Sequence, residues 1–362
     1  MKILHLHPSM AGGGIEAIIC ALVNNLSYRH SVTLATIFSP KKTDVFESKI
    51  SSRVHRVNFG KVHPGFSIKE IFDIYHFIKR GNFDIVNVHG FFYYYALAIL
   101  LLHKKVKFFY TVHSDAFMEN TKWDKKILFL KKMFFENKYI HPITISEESK
   151  KSFYSLYSID SSLIHNGIEP PLVNTIVNPI AQYKITPRTK IFIHAARITL
   201  AKNQIVLCKS FEKLLKDGFD AVLLIVGSNQ DNSIMTEINS FLSDRILYLG
   251  ERNDIPTLFY HSDAMCLPSI WEGLPVTLLE ALSVGCIPLC SPVGGIINVV
   301  RNNYNGLLSD DVSDYSYYNT LKRFMLLNSD ELNLMKENCL NSFKNYDIEY
   351  VATKYENVYE LK

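Results

Sequence analysis

Two glutamates, Glu272 and Glu280, are the side chains whose type and spacing point most directly to chemistry in this sequence. Pro275 suits the first turn of a helix, and residues 276–284 have a helical pattern that Gly285 would end. At about 1.5 Å of rise per residue the two glutamates are separated by roughly 12 Å, more than the ~5–9.5 Å between the paired carboxyl groups of a glycosidase. The spacing favours two ends of one long, hydroxyl-rich ligand, such as a sugar joined to a ribose.

Two cations lie on a predicted loop in the same half of the chain. The predicted strand 191–194 runs into this loop, which carries Arg197 and Lys202. A diphosphate leaving group gains negative charge as its bond to the sugar breaks, so fixed cations stabilise the transition state more than the ground state. The pair therefore indicates a diphosphate clamp. The alternative is a solvated loop, because Lys and Arg are mostly exposed residues.

Glycine pairs follow two other predicted strands. Gly294 and Gly295 open a short helix, where unhindered N–H groups would face a donor phosphate or sugar, or they form a tight turn. Gly13 and Gly14 precede an apolar helix and would line a ligand cleft, or they form a plain strand-to-helix turn. The N-terminal glycine turn is not a G-x-G-x-x-G motif, and the next predicted strand, 31–37, does not end in an acidic residue, which disfavours NAD.

Two histidines end predicted buried strands in the first half of the chain. His89 ends the segment 84–89, and His113 ends the segment 106–113. Ligands of open α/β sheets bind outside the carboxyl ends of the strands, so both rings are expected to face a ligand. For each of them the alternative is a histidine whose bonds are satisfied by packing.

The elements that would position these residues are short apolar runs that alternate with helix-period segments, which is typical of parallel sheets covered by helices. The pattern predicts an α/β protein of two Rossmann-like domains that face each other across a ligand cleft. We expect a first domain at 1–170, a proline-containing linker at 171–188, a second domain at 189–344, and a helix at 345–362 that crosses back to the first domain. The predicted strands are 2–7, 31–37, 53–58, 84–89, 106–113, 142–145, 162–164, 191–194, 221–226, 246–248, 264–267, 287–289 and 306–308.

Composition excludes several classes of function. The 362 residues carry a net charge of only +4, so there is no global electrostatic footprint for nucleic acid. Six cysteines without a C-x-x-C pair indicate reduced thiols in a cytoplasmic protein. The longest apolar run, 91–102, is shorter than the ~20 residues that span a bilayer and predicts a buried helix. No D-x-D cluster is placed at a donor loop, so no metal is expected.

Basic and aromatic residues are interleaved over residues 122–138 at roughly helical spacing. The pattern predicts an amphipathic helix. One face of it would pack on the core and the other would be solvated. The alternative is a helix that lies transiently on an anionic bilayer.

Taken together, these motifs resemble glycosyltransferase family 4, whose members are retaining enzymes with the GT-B fold and nucleotide-sugar donors. The resemblance is strongest over residues 191–308, and its most specific element is the E-x7-E segment. It implies that Glu272 binds the transferred sugar, Glu280 the ribose and His113 the reacting sugar. Arg197 and Lys202 would bind the diphosphate.

The sequence departs from the pattern of this family at two loops. Ala196 replaces the usual glycine before the arginine. Many relatives have Gly-Phe-Gly after the first glutamate, whereas this chain has Gly273, Leu274 and Pro275, which are expected to contact the donor. The resemblance therefore does not define the contacts of this loop with the donor sugar.

The resemblance implies a function as well as a fold. We expect transfer of a hexose or N-acetylhexosamine from a UDP- or GDP-sugar to a hydroxyl of a lipid-linked glycan. Transfer would proceed with retention and without metal or other cofactor, in surface polysaccharide synthesis. The enzyme would be cytoplasmic, with peripheral contact at the inner face of the cell membrane, and would bind no nucleic acid. One alternative is a nucleotide-sugar epimerase on the same fold. Another is a catalytically silent subunit that binds the donor and supports a partner transferase.

Overall fold

Strands and helices alternate along the chain in the structure, a computed structural model that describes residues 1–11, 13–41, 44–63, 65–120 and 122–360. Up to residue 163 the elements are β1 (Lys2–His7), α1 (Gly14–Leu26), β2 (Ser31–Phe38), β3 (His55–Lys61), α2 (Ile68–Gly81), β4 (Ile85–His89), α3 (Ala96–Leu102), β5 (Lys107–Val112), α4 (Ala116–Glu119), α5 (Lys122–Lys126), α6 (Leu128–Glu136), β6 (His141–Thr144), α7 (Glu147–Tyr157) and β7 (Ser162–Leu163). From residue 190 they are β8 (Lys190–Ala195), α8 (Gln204–Lys216), β9 (Ala221–Val226), α9 (Asn232–Asn239), β10 (Ile246–Tyr248), α10 (Ile255–His261), β11 (Ala264–Leu267), α11 (Val276–Ser283), β12 (Ile287–Cys290), α12 (Ile296–Val299), β13 (Leu307–Leu308), α13 (Asp314–Leu326), α14 (Ser329–Phe343) and α15 (Ile348–Glu360).

These elements form two compact units. The first unit comprises Met1–Glu169 together with Tyr346–Lys362, and the second comprises Pro170–Asn345. Helix α15 therefore belongs to the first unit, although it follows the second unit in sequence. The segment expected to be a linker, 171–188, belongs to the second unit, where the Asn174 N–H donates to Thr257 Oγ1 at 3.1 Å.

The first unit is built on a parallel sheet with the strand order β3-β2-β1-β4-β5-β6-β7. The order reverses between β1 and β4, which is the point where open α/β sheets bind ligands at the carboxyl ends of their strands. Both faces of the sheet are covered. Leu4 and Val86 pack into one apolar core with α2 and α6, and Ile3 and Ile85 pack into the other with α1 and α15. Burial on both faces explains why these strands are nearly continuous apolar runs.

The second unit repeats this plan with a parallel sheet in the order β10-β9-β8-β11-β12-β13. Its switch point lies between β8 and β11. The central strands β9, β11 and β12 are completely buried. The loops after β8 and β11 therefore start from buried strands. The first loop carries Arg197 and Lys202, and the second carries Glu272.

Two predicted helices differ from the observed ones. Residues 91–102 are not one buried helix, because Phe91 has a left-handed backbone conformation with φ 48°. A 3₁₀ turn at Phe92–Tyr94 precedes α3, and Leu100 and Leu101 on α3 are exposed. No helix in the described ranges is long and apolar enough to cross a membrane.

The basic segment 122–138 is also not a single helix. It divides into α5 and α6 at Ile127, whose backbone leaves the helical region with φ −113° and ψ 22°. Lys131, one of the lysines that gave the segment its basic character, is only 2% exposed. Its Nζ donates to Asn120 Oδ1 at 3.0 Å and lies 4.0 Å from the centre of the Tyr110 ring. This lysine belongs to the core, because it balances buried carboxylates, as argued below.

Candidate functional site

The loops that follow β8 and β11 lie side by side in the second unit. The Ile270 N–H donates to Ala201 O at 2.9 Å, and Asn203 Nδ2 donates to Pro268 O at 3.1 Å. Asn203 has φ 56° and caps α8, so the chain turns sharply directly after Lys202. These bonds bring residues about seventy positions apart together at the switch point of the sheet.

Glu272 and Lys202 form an ion pair at this place. The Lys202 Nζ donates to Glu272 Oε1, and Ser269 Oγ donates to the same oxygen at 2.6 Å. The Glu272 side chain is 8% exposed and that of Lys202 is 20% exposed. The sequence predicted that one residue binds sugar and the other phosphate, and the structure brings them into direct contact. In this arrangement each group neutralises the charge of the other.

The two glycines after β12 hold the backbone of Glu272. Gly294 has φ +52°, and a Cβ atom there would lie 1.8 Å from Glu272 O. The Gly295 N–H donates to Gly273 O at 2.9 Å, so this amide is already used within the protein. Close approach of two loops therefore explains both glycines. A phosphate that accepts a hydrogen bond from the Gly295 N–H, as expected from the sequence, would have to compete with Gly273 O for this donor. A Cβ at Gly273 would meet no atom within 4 Å, so that position has open space beside it.

The rest of the E-x7-E segment forms the start of α11. Pro275 is buried and precedes the helix in an extended conformation with ψ 126°, and Leu274 is half-buried. The helix ends at Ser283, and Gly285 follows it with φ +73°. Glu280 lies within the helix and is half-buried. The predicted helix, which starts after Glu272 and contains Glu280, is thus present and one residue shorter than expected.

Arg197 has different surroundings from Lys202. Arg197 is exposed, and its carbonyl oxygen accepts a hydrogen bond from Gln204 Nε2 at 2.9 Å. Gln204 also bonds the buried ring of His194 at 3.1 Å, so β8 and α8 together fix the backbone at Arg197. The preceding Ala196 packs against Gly227, where a Cβ atom would lie 1.9 Å from Ala196 O.

In the first unit, the glycines expected at the site lie at the beginning of α1. Gly13 is the residue before the helix and Gly14 begins it, and both are exposed. A Cβ at Gly13 would lie 2.5 Å from Glu16 Oε2. Glu16 Oε1 in turn lies 3.5 Å from His7 Nε2, at the end of β1. The preceding Gly12 lies outside the described residues.

His89 and His113 are joined in a row of rings at the switch point of the first sheet. His89 Nδ1 lies 2.8 Å from His113 Nε2, and His89 Nε2 lies 3.1 Å from His5 Nδ1. His5 and His89 are buried, and His113 is half-buried. The His113 backbone N–H donates to Glu119 Oε1 at 3.2 Å. Packing and ligand contact are therefore compatible, because the buried rings of His5 and His89 are joined to the half-buried ring of His113.

Acidification is expected to destabilise the first unit partly through these rings. Burial lowers the pKa of His5 to about 3 and that of His113 to about 3. The unfolded chain protonates them near pH ~6.5, so below that pH the unfolded state binds more protons and the free energy of unfolding falls. Between pH 6.5 and 5, wild type should lose up to about 1.4 kcal/mol per pH unit more than a His5→Asn variant.

The two tryptophans, Trp123 and Trp271, allow this prediction to be checked. Trp123 lies in the first unit and Trp271 in the second. In a Trp271→Phe background, urea unfolding followed by fluorescence reports on the first unit. Equal pH slopes for wild type and His5→Asn would show that the ring of His5 titrates normally in the folded protein.

Several residues that build the site had no sequence signal of their own. Ser269, Asn203 and Gln204 are ordinary polar residues in loops or at a helix start. His5 could have been noticed, because β1 has a polar residue at a position that should be buried. The sequence pattern gave no reason to connect it with His89 and His113. Among the described residues, no group of three or more His, Cys, Asp or Glu side chains could hold a metal ion.

Two family models match the chain. The family model described as Glycosyltransferase Family 4 matches residues 12–171, and the model described as Glycosyl transferases group 1 matches residues 178–340. The chain is similar to the UDP-Gal:alpha-D-GlcNAc-diphosphoundecaprenol alpha-1,3-galactosyltransferase of Escherichia coli, with 27% identity over 297 residues that cover 77% of this chain and 75% of that relative.

Solved structures share the fold at lower sequence identity. A glycosyltransferase from Rickettsia africae superposes with a TM-score of 0.80 at 19% identity, covering 99% of this chain and 97% of that chain. The Anabaena protein HepE, in complex with UDP, superposes with a TM-score of 0.75 at 16% identity, covering 99% of both chains.

Proposed function

This chain belongs to glycosyltransferase family 4, and from that premise we propose that it transfers a hexose or N-acetylhexosamine from a UDP- or GDP-sugar to a hydroxyl of a lipid-linked glycan. The observation that carries the proposal is the contact between Glu272 and Lys202 at the switch point of the second sheet. The name of the E. coli relative supports both a UDP-sugar donor and a lipid-linked acceptor. The process served would be surface polysaccharide synthesis.

The donor is proposed to bind the second unit. The diphosphate would take Lys202 as its partner, together with Arg197, and hydroxyls of the transferred sugar would bond Glu272. A carboxylate accepts two hydroxyl donors at once, so Glu272 can keep a protein partner while it binds sugar. Glu280 is assigned to the ribose. The open space beside Gly273 gives a donor room to approach the backbone there.

We propose that transfer proceeds with retention and without a metal or other cofactor. The bond between the anomeric carbon and the diphosphate oxygen breaks, and the acceptor oxygen bonds the anomeric carbon on the same face. The departing diphosphate oxygen receives the acceptor proton. Lys202 and Arg197 would stabilise the charge that develops on the leaving group, which lowers the barrier more than it strengthens ground-state binding. His113 would hold the transferred sugar, and Gly13 and Gly14 are assigned to the same substrate surface of the first unit. His89 is buried, so it would act on the substrate only through its bond to His113.

A thermal-shift screen with UDP, GDP and their sugars tests the proposal directly. A ligand that binds only the folded protein raises its melting temperature by mass action. We expect one nucleoside diphosphate and its sugar to raise it, and that sugar to be transferred to lipid-linked glycan acceptors. Stabilisation by a donor without transfer across a broad acceptor panel would indicate a silent binding subunit instead. Isomerisation of the donor sugar without an acceptor would indicate an epimerase.

We propose further that the first unit makes peripheral contact with an anionic membrane, at the cytoplasmic face. Met118 and Phe129, on α4 and α6, are 82% and 84% exposed. Lys122, Lys125 and Lys126 on the intervening α5 are exposed as well. At ~1 kcal/mol for each cation near an anionic surface, three lysines would support transient docking rather than anchoring.

Co-sedimentation with lipid vesicles tests the membrane proposal. Wild type is expected to bind phosphatidylserine-containing vesicles at low salt and to be released at high salt, since the attraction is screened. A Met118→Ser/Phe129→Ser variant should bind less. Leu326→Ser is the matched control, because Leu326 is 67% exposed but lies in the second unit. No binding of wild type at low salt would contradict the proposal.

A further inference from the structure

A buried glutamine closes the loop that carries Arg197 and Lys202 in the second unit. Gln204 is the first residue of α8 and is completely buried. Its Nε2 lies 2.9 Å from Arg197 O and 3.1 Å from Nε2 of the His194 ring. Among the described residues, the side-chain oxygen of Gln204, Oε1, is buried without a hydrogen-bond partner. The amide of this glutamine is therefore used only as a donor.

The His194 ring determines which way the amide of Gln204 is turned. His194 Nδ1 lies 2.9 Å from Cys266 O on the neighbouring strand β11. A carbonyl oxygen can only accept a hydrogen bond, so His194 Nδ1 carries the proton. Burial lowers the pKa of His194 to about 4, so the ring is neutral at pH 7 and its Nε2 is a lone pair. The group of Gln204 that faces this lone pair must be the NH₂ group.

The second N–H of the same NH₂ group is directed to Arg197 O. A flipped amide would place its oxygen against two acceptors, Arg197 O and His194 Nε2. In the observed orientation both N–H groups are bonded and only an acceptor, Gln204 Oε1, has no partner. Buried acceptors without a partner are less rare in proteins than buried N–H groups without one. The series of bonds from Cys266 to Arg197 therefore has a single direction.

These bonds hold the peptide unit between Arg197 and Ile198 on both sides. Its N–H, which belongs to Ile198, donates to Ser228 O at 2.9 Å. Its C=O, which belongs to Arg197, accepts from Gln204. The bond from Gln204 also joins the end of the loop to its beginning, with Lys202 between them. Without the Gln204 donor, this peptide unit would be held on one side only.

We infer that Gln204 and His194 are positioning residues for sugar transfer, which hold the backbone of this loop so that Arg197 meets the leaving diphosphate. The diphosphate contact rests on the proposed function, whereas the fixed backbone depends only on the second unit. Arg197 is exposed and loses side-chain freedom when it binds a ligand. A backbone that is already fixed limits the further freedom that has to be lost. Gln204 and His194 are completely buried, so they act through the loop.

Amide hydrogen exchange measures the loop directly. Gln204→Met removes both donors and keeps the length of the side chain. We expect the hydrogen-bonded amides of Ile198, Lys202 and Asn203 to exchange about tenfold faster in this variant, the effect of one hydrogen bond on a local opening. The amides of β9 should exchange as in wild type. Unchanged exchange in the loop of the folded variant would contradict the inference.

Two substitutions at His194 test the same bonds, and they replace the first test if Gln204→Met does not fold. His194→Asn keeps a donor near the position of Nδ1 for Cys266 O but has no acceptor for Gln204. His194→Gln places an amide oxygen near the position of Nε2 and keeps that acceptor. Loop exchange should therefore rise in His194→Asn and stay close to wild type in His194→Gln. Equal loop exchange in the two variants would contradict the role of His194.

Transfer kinetics test the functional part of the inference. With the donor that the thermal-shift screen identifies, kcat should fall about tenfold in Gln204→Met, the effect of one hydrogen bond. The KM for the donor should change much less, because Arg197 acts most strongly on charge that develops in the transition state. In an Arg197→Ala background, Gln204→Met should have a smaller effect, since the guanidinium that it positions is absent. The same fold-change in both backgrounds would show that Gln204 only supports the fold.

Asn305→Leu is the matched control. Asn305 is also completely buried in the second unit, and its Nδ2 donates to Val299 O and Ser342 Oγ, both at 2.9 Å. This variant should keep the wild-type kcat and the wild-type exchange in the loop. An equal fall of kcat in Asn305→Leu would assign the effect of Gln204→Met to general destabilisation. If loop exchange rises as expected but wild type transfers no sugar from any donor, the proposed function fails while the fixed loop stands.

Discussion

Glu272→Gln and Lys202→Ala are each expected to lower kcat/KM for sugar transfer by about 10²–10³-fold, the usual effect of removing one group that stabilises a transition state. Glu272→Gln keeps the size of the side chain and removes the carboxylate that would bind the sugar hydroxyls. Lys202→Ala removes the cation that would bear the leaving diphosphate. The measurement is steady-state transfer with the donor that the thermal-shift screen identifies.

The ion pair makes the two effects dependent on each other. The Glu272 carboxylate accepts hydrogen bonds from Lys202 and Ser269, and Lys202→Ala leaves only the bond from Ser269 of these two. The negative charge of the carboxylate is then no longer balanced by Lys202 and would repel a diphosphate. Glu272→Gln leaves Lys202 without its counter-ion. The loss of kcat/KM in the double variant, expressed as a free energy, should therefore be smaller than the sum of the two single losses. Strict additivity would show that the two residues act at separate places.

A second ion pair in the same unit provides the control. Lys209 Nζ lies 3.6 Å from Glu237 Oε1, and both side chains are 49% exposed. Lys209→Ala and Glu237→Gln should leave kcat/KM unchanged. Lys209→Ala and Glu237→Gln should also unfold within about 1 kcal/mol of wild type, because exposed pairs contribute little to stability. Wild-type turnover in Glu272→Gln or Lys202→Ala would refute the roles assigned to these residues.

Lys131→Met is expected to lower the free energy of unfolding of the first unit by about 3–5 kcal/mol, the cost of leaving a buried charge without its partner. Burial raises the pKa of Glu119, and the charge of Lys131 opposes this rise. Asp124, which is completely buried, accepts a hydrogen bond from the Tyr93 N–H at 3.0 Å and adds a second acid to the cluster. Without Lys131, Glu119 loses the cation whose charge opposes the rise of its pKa on burial.

The loss should grow as the pH rises. In the variant, Glu119 would bind a proton in the folded state at a pH where the unfolded chain has released it, since its pKa is raised further. A folded state that binds more protons than the unfolded state loses stability with increasing pH. Urea unfolding of Lys131→Met at pH 6 and pH 8.5, followed by Trp123 fluorescence in the Trp271→Phe background, should show the larger deficit at pH 8.5.

Two further variants separate charge from packing. Lys132→Met changes the neighbouring lysine, whose side chain is 41% exposed and lies 3.9 Å from Glu136, and should cost no more than about 0.5 kcal/mol. Adding Glu119→Gln to Lys131→Met removes the acid that Lys131 no longer compensates and should recover part of the stability. A deficit that is the same at both pH values and is not reduced by Glu119→Gln would assign the effect to packing.

The sequence was sufficient to predict the strands and the region of the site, for a physical reason. Strands buried on both faces are continuous apolar runs that end where polar loops begin, so strands such as β9 and β11 could be placed to the residue. The same loops had to carry the chemistry, because they emerge at the carboxyl edge of each sheet. Glu272, Lys202 and His113 were selected as candidate site residues in this way.

Pairing between distant residues could not be predicted. Lys202 meets Glu272 because β8 and β11 are neighbours in the sheet, which depends on the strand order rather than on local pattern. Lys131 has the sequence surroundings of a surface lysine, and only its contacts with residues from other elements reveal it as a core residue. Gly294 could be recognised as a turn residue from the sequence, but its packing against the loop that carries Glu272 could not be predicted.

The return of α15 to the first unit has a consequence for how the molecule is made. Tyr355 and Tyr359 belong to the core that α1 also covers, and Tyr359 Oη accepts a hydrogen bond from Asn87 at 2.8 Å in the middle of β4. On the ribosome, the whole second unit is translated before these tyrosines emerge. The sheet that carries the histidine row must therefore wait, with one apolar face incomplete, while the later-synthesised unit is already able to fold.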